Sequence, residues 1–159
     1  MSIAAFRMAG ATTSRTSFAA GRLTECRSIA GQEYRSNVDK VIRFFSRHSA
    51  GNEVVITVMK NRPEWDMTAL ACANTANHFN PLDPEMNDDG LRYALEATPP
   101  TFVVVSPDQR RRIVWLLDEL DQIPTVLIAD LYSVREDANA APLRNMNNSE
   151  ILMSTIPEA

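Results

Sequence analysis

The sequence predicts an α/β fold: a doubly wound, mostly parallel sheet with helices on both faces. Three observations carry this reading. β-Branched runs of strand length recur at 53–60, 101–106 and 125–130. Segments with helical apolar spacing alternate with them, which implies right-handed crossovers and parallel strands. The runs TFVVVS and TVLIAD show almost no polar alternation, as strands covered on both faces require.

In chain order, Val38, Val41, Ile42 and Phe45 recur at helical spacing with Asp39, Lys40 and Arg43 among them, so an amphipathic helix is expected from about Ile29 to Phe45. Gly51 and Asn52 break it before the first strand, EVVITVMK. Asn61 is the expected cap of the next helix, with Pro63 in its first turn and Glu64 facing the positive helix end. That helix should reach about Ala76. A short strand from His78 to Asn80 should then stop at Pro81. Asn87 should cap a helix with Leu91, Ala94 and Leu95 on one face, ended by Pro99-Pro100. Ser106 with Gln109 forms a capping-box pattern, and Ile113, Leu116, Leu117 and Leu120 should line the buried side of the helix that follows.

Three regions are expected: a basic leader over 1–23, the α/β unit over 24–131, and a loosely ordered tail over 132–159 with one helical turn near Ile151 to Met153. The leader carries Arg7, Arg15 and Arg22 with no acid, the composition of a mitochondrial presequence as well as of an unstructured N-terminus. Two unrelated cysteines, Cys26 and Cys72, give neither a disulfide framework nor a zinc pattern. The expected location is therefore the reducing cytoplasm, with the mitochondrion as the alternative. The net charge of −4 gives no reason to expect a nucleic-acid partner. No apolar run approaches the ~20 residues that span a bilayer.

Chemistry is sparse. AGATTSRTS at 9–17 has one glycine and no lysine, so it is not a phosphate loop. The acids Asp83, Glu85, Asp88 and Asp89 precede a helix, whose positive end they should oppose rather than hold a metal. His78 is expected to be packed or hydrogen-bonded, and Trp65 and Trp115 to fill the core. QRRRI at 109–113 should be a solvated helix face. Asn147-Asn148-Ser149 fits a glycosylation sequon that is expected to be unused. No catalytic, cofactor-binding or metal-binding residue is assigned.

The order of phrases is more telling than any single residue. EVVITVMKNRPEWDMTALACA, NHFNPLDPE, LRYALEATPPTFVVVS and IPTVLIAD, preceded by YRSNVDKVIRFFSRH, together resemble the start of the adenylate-forming superfamily. That superfamily includes acyl-CoA synthetases, coumarate-CoA ligases and luciferase-like enzymes. The resemblance covers roughly residues 24–130 and departs at Ala76-Asn77, where the family carries Gly-Ala; the tightness of the helix-to-strand turn hinges on that difference. It implies a fold like part of the family's N-terminal domain. For full-length relatives it implies ATP- and magnesium-dependent activation of a carboxylate to an acyl-adenylate, then transfer to coenzyme A, as in fatty acid metabolism.

The family's phosphate loop, nucleotide motifs and catalytic lysine match no position here. The expectation is an N-terminal segment that is inactive alone and binds no cofactor by itself. The alternative is a non-catalytic interaction module that complements or regulates a full-length adenylate-forming partner. Self-association through an exposed sheet edge is a further expectation.

Overall fold

The computed structural model describes residues 29–132 and 150–157. The leader, Cys26, the 9–17 stretch and the 147–149 sequon lie outside the described residues. The elements alternate as α1 (Gly31–His48), β1 (Val54–Val58), α2 (Pro63–Thr75), β2 (His78–Leu82), α3 (Asp88–Ala97), β3 (Phe102–Val105), α4 (Pro107–Glu119) and β4 (Thr125–Ile128). A fifth strand, β5 (Glu150–Leu152), is followed by a 3-10 turn over Met153–Thr155.

All the strand pairings are parallel, in the order β2-β1-β3-β4-β5. From β1 the chain steps outward to β2, then reverses past β1 to β3 and continues to β4. Right-handed crossovers place α2 on one face and α3 and α4 on the other. The core divides accordingly. Val55, Phe102, Val104 and Leu127 pack with Phe44 and Phe45 of α1 and Ala71 and Cys72 of α2. Ile56, Val58, Val103 and Val126 pack with Leu91 and Leu95 of α3 and Ile113, Leu116 and Leu117 of α4. Strand neighbours thus alternate between two apolar layers, and the fold is the doubly wound α/β sheet expected.

Several local expectations are corrected. The N-cap position of α2 is Arg62, not Asn61, and Pro63 occupies the first turn. The second strand runs through Pro81 to Leu82. It can do so because β2 is an edge strand, where a missing N–H costs no ladder bond on the outer side. Ser106 starts α4 but makes no side-chain capping bond. The Gln109 amide instead donates to Asp108 Oδ2 (3.1 Å). Asn87 does cap α3, its side chain accepting from the Gly90 N–H at 2.9 Å.

The larger correction concerns the tail. Residues 150–152 pair in parallel with Val126–Ile128, and Met153 and Ile156 are buried in the α1/α2 layer. Where a helical turn is expected near Ile151 to Met153 the chain is a strand through Leu152, and a 3-10 turn follows over Met153–Thr155. Two long-range polar ties explain the order. Glu150 pairs with Arg110 of α4, and Asp130, at the end of β4, accepts from the Ser154 N–H (2.8 Å) and hydroxyl.

The turn between α2 and β2 is tight despite lacking glycine. Ala76 adopts a left-handed conformation (φ 54°), which costs a non-glycine residue about 1 kcal/mol. Asn77 offsets this with its side chain. Its Oδ1 accepts from the Ser49 hydroxyl (2.7 Å) and the Glu53 N–H (3.2 Å), and its Nδ2 donates to Thr75 Oγ1 (3.0 Å). The two residues that depart from the family pattern therefore build the amino end of β1 and β2 together.

Candidate functional site at the carboxyl ends of the strands

In a doubly wound sheet the loops beyond the carboxyl ends diverge where the winding reverses, and ligands bind in the crevice so opened. Here that point lies between β1 and β3. The loop after β1 is Met59–Arg62, and β3 is followed directly by Ser106 and α4.

Proline at 63 forces the chain straight from this loop into α2, so Glu64 falls in the first helical turn. It is fully buried. Its carboxylate meets the Arg62 guanidinium at 3.4 Å and accepts from the Tyr132 backbone N–H at 3.1 Å. The Tyr132 hydroxyl in turn accepts from Asn37 Nδ2 of α1 (2.7 Å). One acid therefore joins the loop after β4 to the start of α2, and Tyr132 carries the link on to the second turn of α1, a role beyond opposing the helix dipole. Burial pushes the neighbouring Tyr34 phenol up, and Asp66 and Tyr132 push it the same way.

The acidic cluster is spent on loop geometry. Asp83 Oδ1 accepts from the Glu85 N–H (2.9 Å), Glu85 pairs with Lys60 (3.0 Å), and Asp88 pairs with Arg112. Asp88 and Asp89 occupy the first turn of α3, as expected. Lys60 has its pKa raised, first by the hydrogen bond it donates to Glu85, then by that residue's charge and those of Asp108 and Asp83. A raised pKa is the opposite of what a nucleophilic lysine needs. Among the described residues, no group of three or more His, Cys, Asp or Glu side chains could hold a metal.

The 109–113 run is not a solvated face. Arg110 is buried against Glu150, and Arg112 reaches Asp88, the Pro84 carbonyl (3.0 Å) and the Met86 carbonyl. Only Arg111 of the three arginines is exposed. The signal was present in the spacing, since Arg110 lies three residues before Ile113 and seven before Leu117, on the same stripe. The same spacing turns Trp115 outward. It is 48% exposed, with Arg92 stacked at 5.9 Å from its ring, rather than in the core. Trp65 is half-buried, edge-on to Phe79 at 5.1 Å. His78 is exposed rather than packed. Cys72 is a core residue as expected, and burial pushes its thiol up to about 12, which leaves it inert.

Four cations thus stand at or near this edge, Lys60, Arg62, Arg110 and Arg112, and each is engaged by a carboxylate. Chemically the arrangement holds loops in register. A family model described as AMP-binding enzyme matches residues 6–153. The chain belongs to the AMP-binding enzyme family.

Solved structures of adenylate-forming enzymes share the fold. The A domain of carboxylic acid reductase from Segniliparus rugosus, in complex with AMP and a co-purified carboxylic acid, superposes with a TM-score of 0.69 at 15% identity, covering 82% of this chain and 22% of that one. Acetoacetyl-CoA synthetase from Streptomyces lividans gives 0.67 at 14%, covering 85% and 21%. The amide bond synthetase of Marinactinospora thermotolerans gives 0.58 at 20%, covering 79% and 27%. The chain therefore spans about a quarter of the length of these AMP-binding relatives. Comparison with curated protein sequences gives no match. The family match begins within the stretch read as a basic leader. No helix among the described residues is long and apolar enough to cross a membrane.

Proposed function

We propose that the chain supplies the N-terminal α/β unit of an acyl-CoA-synthetase-like enzyme, and that by itself it does not turn over. In the whole enzyme the reaction would be ATP- and magnesium-dependent activation of a carboxylate, followed by transfer to coenzyme A. The observation that carries this reading is the family match over residues 6–153 on a sheet whose carboxyl-end cations are already paired with acids. Adenylation needs cations and N–H groups free to meet phosphate as charge moves onto pyrophosphate. Arg62 is held against the buried Glu64, and Arg110 against Glu150, which supports a scaffold role for the unit.

ATP–pyrophosphate exchange with a panel of fatty and aromatic acids tests this. The chain alone should give no exchange above a no-protein blank. Robust exchange by the chain alone would overturn the reading. A second reading, a non-catalytic module that complements a partner carrying the rest of the fold, is favoured by one observation: β5 ends the sheet with no strand beyond it among the described residues.

A further inference from the structure

The last turns of α1 and the segment that follows β5 border a groove of about 200 Å³ on the face of the sheet that α1 and α2 cover. Part of its lining is apolar. Phe44, Ile151 and Ile156 contribute it, all from that layer of the core, and the His48 ring lies 4.5 Å from the Phe44 ring. The rest is cationic, from Arg43 and Arg47, and no acid lines the groove. The two arginines stand four residues apart on one helix, so their side chains are neighbours and repel each other. The negative end of α1 offsets this at Arg47, in the last turn, but not at Arg43, one turn earlier. The Arg43 Nε–H is also buried without an acceptor, so part of its guanidinium is withdrawn from water with nothing to compensate.

We propose that this groove binds a small amphipathic anion, a carboxylate or phosphate carried on an apolar body about the size of an aromatic ring. An anion held by Arg43 and Arg47 replaces their mutual repulsion with two attractions, and each guanidinium offers a fork of N–H donors that fits either headgroup. The partial desolvation of Arg43 strengthens that attraction. The size of the body follows from the volume. An apolar cavity of about 150 Å³ takes a benzene ring, and this groove is somewhat larger. Cations and apolar surface lie on the same side, so adjacent parts of one compact ligand must meet both. A nucleic-acid backbone would leave the apolar lining unused, and the chain's net charge of −4 opposes it. The inference goes beyond the scaffold reading and does not rest on it, because the groove lies against α1 and not in the crevice between β1 and β3.

Benzoate and phenyl phosphate are the probes. Benzylamine keeps the ring but reverses the charge, and inorganic phosphate keeps the charge but lacks the ring. Titrated into the isotope-labelled chain, at least one of the two probes should give saturable NMR shifts at the amides of Arg43 to His48 and of Ile151 to Ile156, and should raise the thermal midpoint. Benzylamine should give neither effect, and inorganic phosphate should bind roughly tenfold more weakly than the better probe. Arg47→Gln, at an exposed position, should weaken binding roughly tenfold. Thr155→Leu fills the groove from another exposed position, leaves both arginines in place and should abolish binding. Absence of saturable shifts with both probes, equal binding of benzylamine or inorganic phosphate, indifference to either substitution, or shifts confined to another region would each overturn the proposal. Pyrophosphate exchange by the chain alone would sink the scaffold reading and leave this result standing, so the two failures are distinguishable.

Discussion

The two edges of the sheet are built in opposite ways. At β2 the edge is closed by local means. Five residues pair with β1, Pro81 removes an outward donor, and Trp65 from the neighbouring helix covers Phe79. The amino end of that strand is tied by a residue nearby in sequence, Asn77, whose side chain accepts from the Glu53 N–H. At β5 only three residues pair, and they are held from a distance. Glu150 reaches Arg110, Ser154 reaches Asp130, and Met153 and Ile156 plug the α1/α2 layer. The difference teaches that one edge is finished and the other is held in place by a few long-range ties.

The largest expected effect breaks the β5 side of this contrast. Arg110 and Glu150 are only 6% and 15% exposed, so Arg110→Ala leaves a carboxylate desolvated and unpaired. Breaking such a pair costs about 3–5 kcal/mol, a large share of a typical domain's stability. Urea denaturation should show the lowered midpoint. Hydrogen exchange should show Ile151 to Met153 exchanging freely while Val54 to Val58 stay protected. Combining Arg110→Met with Glu150→Leu should recover most of the loss, because an apolar pair has no charge to strand. Equal loss of protection at both edges would show that the two are not independent.

A smaller effect is expected at the β2 side. Asn77→Ala removes three side-chain hydrogen bonds, to Ser49, Glu53 and Thr75, at a turn already carrying a left-handed alanine. The groups are partly accessible and can recruit water, so the cost should be about 2 kcal/mol. A lowered urea midpoint with an unchanged slope would match this. Fraying should start at His78 and leave β5 intact. A loss greater than that of Arg110→Ala would invert the comparison.

The contrast also explains what could be read from the sequence. β1, β3 and β4 were legible because each is a run of β-branched or apolar residues, and α3 because Asn87 and the prolines bracket it. β5 was not, because Glu-Ile-Leu is too short to show a period and follows an Asn-rich stretch. Its order comes from Arg110, forty residues away in sequence. In the sequence Pro81 looks like the end of β2, because edge position, which tolerates proline, depends on topology. At the carboxyl-end site the prolines and acids were legible as helix starts. The ties from Glu64 to Tyr132 and from Arg112 to the 84–88 loop were not, since they join segments that sequence keeps apart. Trp115 is a different case. The stripe of Ile113, Leu116, Leu117 and Leu120 already pointed it outward, and only the habit of burying tryptophan placed it inside.

The smallest expected effect sharpens the comparison by removing a pair that looks equivalent. Lys60–Glu85 is a carboxyl-end ion pair, like Arg110–Glu150, but its side chains are 69% and 72% exposed. Solvent screens such a pair and replaces either partner when the other is removed. Lys60→Gln should leave the urea midpoint at neutral pH unchanged within error. The lysine's raised pKa fixes the sign of any residual contribution: it is present below the ordinary lysine value and lost as pH rises through the elevated one, so it is constant across neutral pH. Added salt should also leave the midpoints of the natural chain and of Lys60→Gln equal. A clear drop for Lys60→Gln, abolished by salt, would mean that the β2 edge too depends on an ion pair, and the distinction between a finished edge and a tethered one would fail.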